Sequence, residues 1–312
     1  MKKGKNYLVT GAAGFIGAAV AQKLVDMGHH VVTIDNLSTG YKEHLPEKVE
    51  FIEGSTYDKT VIDRLEGREF DAIIHIAGQS SGEISFENPV YDLQTNCQST
   101  IMLLDYARKN GIRKFIYAST MSVYGDHDPA ECMEKTELVP KSFYAVGKIA
   151  SEHYMRIYSE QFGMACTALR LFNTYGVGQN MKNLKQGMAS IYLAMAIKDH
   201  AVTVKGSKDR FRDFVYIDDV VDAFIKSMER DCGYECFNVC TGKATTVEQV
   251  VGTIICQLPY EVDVKYIEGT PGDQFGIYGN NEKISEAIGW EPCVKFADGM
   301  EKMIHWAVES EN

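Results

Sequence analysis

The sequence lacks the long apolar runs of membrane proteins and the excess positive charge of nucleic-acid-binding proteins. No stretch of its 312 residues approaches the roughly 18 apolar residues needed to cross a bilayer. The opening MKKGKNYLVTGAAGFIG contains no apolar block of the signal-peptide kind, so we expect a cytoplasmic protein. A formal net charge of -11 argues against nucleic acid as a partner, because phosphate backbones attract clustered Lys and Arg.

The cysteines do not form a metal-binding pattern. Eight are present, and only Cys232, Cys236 and Cys240 cluster, with no histidine following at a zinc-type spacing. We therefore expect no structural metal. The apolar content of 45% is enough to bury a sizeable core in one large domain or two fused domains.

Apolar segments of two kinds alternate along the first half of the chain. Residues 6–10 (NYLVT) and 30–35 (HVVTID) are typical of short buried strands, and the segment between them has apolar residues at helical spacing. Strand-like runs recur in FDAIIHIAG, RKFIYAST and CTALRLFNTYG, with helix-like segments between them. This alternation predicts an α/β fold of the Rossmann type, a doubly wound parallel sheet with helices on both faces.

The first strand leads into a glycine motif, TGAAGFIG, that predicts a dinucleotide site. Gly11 allows a tight turn, Gly14 lets the backbone approach a pyrophosphate, and Gly17 lets the following helix pack on the sheet. The N-terminus of that helix faces the phosphates. We predict that Phe15 and Ile16, which begin the helix, belong to the same cofactor site.

Asp35 ends the second strand at a suitable distance from this motif. Its carboxylate can accept hydrogen bonds from the adenosine ribose and would repel a 2′-phosphate, which favours NAD over NADP. The alternative for Asp35 is a loop cap. Asn36 follows it in the predicted cofactor site, and Gly78 falls where a fourth strand brings backbone against the same pyrophosphate. We expect His75, on that apolar strand, to be a packed core histidine.

Tyr144 and Lys148 in SFYAVGK lie one helical turn apart. A free tyrosine has a pKa near 10 and is a poor base at neutral pH unless a cation stabilises its phenolate. The spacing predicts that Lys148 lowers the pKa of Tyr144 and makes it a proton-transfer group. Beside a bound NAD, this pair indicates redox chemistry.

The GxxGxxG spacing with YxxxK resembles the short-chain dehydrogenase/reductase superfamily. The resemblance is closest to the extended branch of nucleotide-sugar epimerases and dehydratases. It covers nearly the whole chain through TGAAGFIG, DNLSTG, HIAG, ASTMSVYG, YAVGK, RLFNTYGVGQN, DRFRDFVYIDDVVDA and FNVCTG. It implies residues 1–173 as an NAD-binding domain, completed by parts of 213–242, and residues 174–312 as a smaller substrate-binding region.

The resemblance implies an NAD-dependent nucleotide-sugar 4-epimerase. Tyr144 removes a proton from the sugar C4 hydroxyl with help from Thr120, Lys148 also holds the nicotinamide ribose, and a transient 4-keto sugar results. UDP-glucose and UDP-galactose are the leading pair, with UDP-hexuronic acid or UDP-N-acetylhexosamine as alternatives.

Three further readings stay open. Sugar dehydratases carry an acidic pair after the residue equivalent to Thr120, and decarboxylases carry a glutamate there, whereas this chain has Met121 and Ser122. Epimerisation is therefore favoured over elimination, unless an acid such as Glu83 arrives from another loop. The third reading is an NAD(H)-sensing binding protein, which has no evident need for the Thr120, Tyr144 and Lys148 set.

The resemblance also assigns substrate-binding residues. Asn173 matches an asparagine that contacts the sugar diphosphate, the backbone of Asn183 and Leu184 matches a gripping loop, and Arg212 matches an arginine that pairs with the diphosphate. An ion pair with Asp213 or Asp209 is the alternative for Arg212. The chain departs from the pattern at Thr270, where many epimerases have arginine; Lys182, Lys185 or Arg210 are possible replacements.

Gln79, Ser80 and Ser81 are expected to border the sugar pocket. They either orient sugar hydroxyls or cap the next helix. Family members commonly form homodimers through helices near residues 91–109 and 144–162. These segments carry apolar stripes that a sheet-facing helix would share, among them Ile101, Leu104, Met155 and Tyr158.

Overall fold

A seven-stranded parallel sheet organises the protein. The computed structural model describes residues 4–182, 187–231, 233–269 and 275–311. The strands are β1 Asn6–Thr10, β2 His30–Asp35, β3 Glu50–Glu53, β4 Ala72–His75, β5 Lys114–Thr120, β6 Glu131–Cys132, β7 Ala165–Leu171, β8 Asn173–Tyr175, β9 Ala201–Lys205, β10 Phe211–Arg212, β11 Phe214–Tyr216, β12 Tyr234–Val239, β13 Thr245–Thr246, β14 Asp263–Ile267 and β15 Tyr278–Gly279.

Helices connect these strands. The α-helices are α1 Phe15–Asp26, α2 Lys59–Asp63, α3 Gly82–Glu87, α4 Pro89–Leu93, α5 Ser99–Lys109, α6 Phe143–Phe162, α7 Met188–Asp199, α8 Ile217–Ser227, α9 Val247–Ile255, α10 Glu282–Ile288 and α11 Phe296–Glu311. Short 3₁₀ helices cover Lys42–His44 and Met121–Val123, and a π-helical turn at Gln94–Gln98 joins α4 to α5. Within the described ranges, no helix is long and apolar enough to cross a membrane.

The strand order is β12-β7-β5-β4-β1-β2-β3, with every neighbouring pair parallel. The order reverses between β1 and β4, and this reversal opens a crevice at the carboxyl edge where doubly wound sheets bind their ligands. The predicted fold class and the predicted strands at residues 6–10 and 30–35 are confirmed. The late strand β12 lies beside β7 in the same sheet.

Alternate side chains of β1 pack into two different hydrophobic cores. Tyr7 and Val9 pack into the core on one face, while Leu8 packs into the core on the other. Successive side chains of a strand point to opposite faces, so a strand buried on both sides is apolar throughout. This explains why the strands appear in the sequence as continuous apolar runs. The shorter strand pairs β6/β15, β8/β11, β9/β14 and β10/β13 lie outside the main sheet. The domain division at residue 173 stays a prediction.

Candidate active site

A cavity of about 390 Å³ opens at the carboxyl edge of the sheet. Most of the predicted site residues line it: Gly11, Gly14, Phe15, Ile16, Gly17, Asp35, Asn36, Gly78, Gln79, Ser80, Thr120, Tyr144, Lys148 and Asn173. They come from the ends of β1, β2, β4 and β5, from the start of β8, and from α1 and α6, segments far apart in the chain.

Two glycines of the motif after β1, Gly11 and Gly17, leave no space for a side chain. Gly11 has a φ of +80°, and a Cβ there would lie 2.8 Å from the amide nitrogen of Ala77. At Gly17, a Cβ would lie 2.0 Å from the carbonyl oxygen of Gly11, so α1 can pack this closely only with glycine. Gly14 is the N-cap of α1. The loop thus presents the N-terminus of α1 to the cavity, the arrangement that holds a dinucleotide pyrophosphate.

Asp35 connects β2 to this loop. Its Oδ2 accepts from the amide of Ala13 at 3.0 Å and its Oδ1 accepts from the amide of Leu37 at 2.8 Å. Each carboxylate oxygen has a second lone pair, so the side chain can order the loop and still accept from ribose hydroxyls. Asn36 is held by the hydroxyl of Ser55 at 3.0 Å. Both roles considered for Asp35 are therefore compatible.

The sequence reasoning did not assign Gly40, although it lies in the conspicuous DNLSTG segment. Gly40 lines the cavity, and a Cβ there would lie 2.5 Å from the carbonyl of Ala13. The glycine inside a polar segment directly after a buried strand was the available signal.

The loop after β4 closes the cofactor side. A Cβ on Gly78 would lie 2.4 Å from Oδ1 of Asn96, so glycine is needed for this approach. His75 is fully buried, bonded to Thr10 at 2.7 Å and to Ser99 at 3.2 Å. Burial, helped by the charge of Lys148, lowers the pKa of His75 to about 3. The prediction that His75 is a packed core histidine is confirmed.

Thr120, Tyr144 and Lys148 meet at the floor of the cavity. Thr120 ends β5, while the other two lie on the first turns of α6, and all three are buried. Nζ of Lys148 donates to the carbonyl of Ala118 at 2.9 Å and lies 5.7 Å from the ring centre of Tyr144. The Thr120 hydroxyl favours the ionised form of Tyr144, lowering its pKa. The three residues thus form one cluster.

Burial dominates the protonation of this cluster. Burial raises the pKa of Tyr144 to about 12. The Thr120 hydroxyl lowers this pKa, and the charge of Asp92 raises it further. Burial also lowers the pKa of Lys148 to about 7, against the charges of Asp92 and Glu152. The lowered tyrosine pKa predicted from the Tyr–Lys spacing is therefore wrong for the protein alone, because desolvation penalises both charged forms.

The predicted substrate residues separate into two groups. Asn173 and Ser80 line the cavity, and Oδ1 of Asn173 is buried without a hydrogen-bond partner in the part of the chain that the structure describes. Ser81 instead is the N-cap of α3 and accepts from the amide of Ile84 at 3.4 Å, so the capping alternative is confirmed for it. Gln79 lines the cavity, but its side-chain amide is already hydrogen bonded to neighbouring protein groups, including the carbonyl of Ser81.

Arg212 lies away from the cavity lining. Its Nη1 donates to the carbonyls of Phe211 at 2.7 Å and Phe275 at 3.1 Å, and burial lowers its pKa to about 10. Asp213 accepts from Thr241, at 2.6 Å from its hydroxyl. Asn183, Leu184, Lys185 and Thr270 lie outside the described residues.

Comparisons with known proteins agree with this geometry. Residues 7–240 match the model of the NAD dependent epimerase/dehydratase family. A putative UDP-glucose 4-epimerase of Methanocaldococcus jannaschii is 32% identical over 300 residues, covering 96% of this chain and 97% of that protein. The chain belongs to the NAD dependent epimerase/dehydratase family.

Solved structures extend the likeness to the fold. A UDP-glucose 4-epimerase from Thermotoga maritima, solved with UDP-glucose, has a TM-score of 0.95 and 32% identity, covering 98% of this chain and 100% of that one. A UDP-glucose 4-epimerase from Thermus thermophilus, solved with NAD, has a TM-score of 0.89 and 31% identity, covering 96% and 98%. NAD is the cofactor of the family, and the close backbone approaches at Gly11, Gly17 and Gly78 fit it.

Proposed function

We propose that the protein is an NAD-dependent nucleotide-sugar 4-epimerase, with UDP-glucose and UDP-galactose as its leading pair. The observation that carries the proposal is the cluster of Thr120, Tyr144 and Lys148 on the floor of a cavity whose other side fits a dinucleotide. The UDP-glucose 4-epimerases it resembles over nearly their full length support the sugar.

The protein's own residues divide the work of proton transfer. Tyr144, ionised, takes the proton from the sugar C4 hydroxyl, and Thr120 orients that hydroxyl. Lys148 stabilises the phenolate and positions the nicotinamide ribose. Bound NAD+ supplies a reversible hydride acceptor and a positive charge that favours the phenolate. The resulting 4-keto sugar rotates in the cavity, so that C4 is then reduced on its opposite face.

The residues after Thr120 favour epimerisation over elimination. Met121 and Ser122 line the cavity, and the Ser122 hydroxyl lies 3.2 Å from Oγ1 of Thr120. Neither side chain can act as the acid or base that loss of water requires. Glu83 is exposed on α3 and is not among the residues that line the cavity. We propose Ser80 for sugar contact and Asn173 for contact with the sugar diphosphate, while diphosphate contacts by Asn183, Leu184 and Arg212 stay predictions.

Product analysis tests the proposed function. Purified protein is incubated with NAD+ and UDP-, GDP-, CDP- and dTDP-sugars, and products are followed by mass spectrometry and proton NMR. We expect a product of unchanged mass with inverted C4 for UDP-glucose. Loss of water or carbon dioxide would instead identify a dehydratase or decarboxylase, and no turnover with any sugar would leave a binding protein.

We also propose a homodimer formed through α4 and α6. The stripe residues Leu104 and Met155 are buried in the core, as the sheet-facing alternative required. A different set of apolar residues is exposed on α3, α4 and α6, and the rings of Phe86 and Phe143 among them lie 5.5 Å apart: Phe86, Val90, Leu93, Phe143, Val146, Ile157 and Phe162. Clustered exposed apolar groups of this kind mark interaction sites.

Light scattering tests the dimer. We expect twice the monomer mass for the wild type and a monomer for Ile157→Glu, because a charge in an apolar interface is costly. Ile267→Glu is the matched control, since Ile267 is similarly exposed but lies on β14. A monomeric wild type would contradict the proposal.

A cytoplasmic location is also a proposal, supported by the free thiols of the described cysteines.

A further inference from the structure

A buried carboxylate, that of Asp92, lies behind the wall of the cavity. Asp92 is on α4 and only 1% exposed. Its Oδ1 accepts from Nε2 of Gln79 at 2.8 Å and from Nδ2 of Asn96 at 3.1 Å. A buried ionised carboxylate is costly unless hydrogen bonds and an opposite charge compensate it. The two amides supply the hydrogen bonds, and the cation acting on Asp92 is Lys148.

Asp92 and its neighbours Thr95 and Asn96 all hydrogen bond to Gln79. Nδ2 of Asn96 donates to the carbonyl of Gln79 at 2.9 Å, and the amide of Gln79 donates to Oγ1 of Thr95 at 3.3 Å. Nε2 of Gln79 also donates to the carbonyl of Ser81 at 2.7 Å. Because Gln79 lines the cavity, the position of Asp92 sets the shape of the wall that faces the sugar.

Titratable groups from several elements face Lys148: Asp92 on α4, His75 on β4, Tyr117 on β5, and Tyr144 and Glu152 on α6. Two of them are acidic. Glu152 is bound by the guanidinium of Arg170 at 2.7 Å and 3.0 Å, so a fixed cation already compensates its charge. Asp92 is held by neutral amides. Its negative charge is therefore the one left to complement Lys148.

The packing of α4 on α6 brings Asp92 close to the catalytic helix. A Cβ on Gly147, the residue before Lys148, would lie 3.5 Å from Oδ2 of Asp92. We propose that Asp92 is a positioning residue of the epimerase: it fixes Gln79 at the cavity wall and stabilises the charged form of Lys148. Its catalytic part rests on the proposed function.

Replacing Asp92 by Asn removes the charge but keeps the size and an acceptor for Gln79. The charge of Asp92 raises the pKa of Lys148 against the lowering by burial, so the variant lowers that pKa further. The same charge raises the pKa of Tyr144, so the variant lowers this pKa as well. Both titrations move to lower pH, and the pH profile of kcat moves with them.

NMR titration of the NAD+-loaded enzyme labelled with [¹³Cε]lysine measures this directly. The Lys148 signal is assigned by its loss in Lys148→Met. We expect its midpoint in Asp92→Asn to lie about one pH unit below that of the wild type. The control Glu83→Gln removes an exposed carboxylate from neighbouring α3 and leaves the midpoint unchanged. An unchanged midpoint in Asp92→Asn overturns the electrostatic role.

Asp92→Ala tests the wall. It removes the acceptor for Gln79, and we expect KM for UDP-glucose to rise about tenfold relative to Asp92→Asn, because a buried donor of Gln79 loses its hydrogen-bond partner. Equal KM values in the two variants overturn the wall role. The lysine titration needs no turnover, so it decides the electrostatic role even if no sugar is converted. Absent turnover by the wild type counts against the proposed function alone.

Discussion

The two sides of the cavity are built by different means. The cofactor side is shaped by what is missing, since Gly11, Gly17 and Gly78 would each place a Cβ within 3 Å of another atom. The catalytic side is shaped by buried side chains, and there burial shifts the pKa of Tyr144 and Lys148 in opposite directions. Backbone fit sets the first side, and desolvation against neighbouring charges sets the second.

This difference indicates how each side should respond to mutation. A side chain added at Gly11 or Gly17 on the cofactor side collides with backbone, so stability and cofactor affinity fall together. A polar group removed from the catalytic side leaves the packing in place, so chemistry falls while binding persists.

The largest expected effect belongs to Tyr144→Phe. The ring and its burial are kept while the proton acceptor is lost, so we expect kcat to fall about 10³-fold. NAD and UDP-sugar affinities, measured by calorimetry, should stay close to those of the wild type. Tyr158→Phe, on the same helix, is the control and should leave kcat unchanged. Unchanged turnover in Tyr144→Phe would refute the mechanism.

A smaller effect is expected for Gly17→Ala. The new Cβ meets the carbonyl of Gly11, a backbone atom that cannot move aside, so α1 must shift. We expect a loss of about 2 kcal/mol in the free energy of unfolding, from urea denaturation, and weaker NAD binding.

Gly252→Ala is its matched control. Gly252 also lies inside a helix, α9, and a Cβ there meets nothing within 4 Å. We expect this variant to be more stable by about 0.5 kcal/mol with unchanged NAD affinity, because alanine favours helix. Equal destabilisation by both variants would show that the cofactor side does not depend on backbone fit.

The cofactor side could be predicted well because its signals are local. Gly11, Gly14 and Gly17 lie within one turn and one helix, and Asp35 ends the next strand, so spacing alone relates them. The pair Tyr144 and Lys148 could be predicted for the same reason, because the two residues lie one helical turn apart. The capping role of Ser81 was one of two readings, and only the geometry of α3 decides it.

Charges that meet across the fold could not be predicted in this way. Asp92 and Lys148 are 56 positions apart on separate helices, and nothing in either segment marks the other. The pKa of Tyr144 was predicted in the wrong direction because the spacing shows the nearby lysine but not the burial of both groups. Arg212 matches a motif, yet its described contacts are to carbonyls outside the cavity lining.

The sequence by itself determined the order of strands and helices, the parallel sheet and the glycine loop, because apolar period and backbone freedom act over a few residues. Only the tertiary structure decided which carboxylates stand beside Lys148, how far burial shifts its pKa, and which polar side chains reach the cavity. Desolvation and charge pairing depend on distances between segments, and only the packed fold fixes those distances.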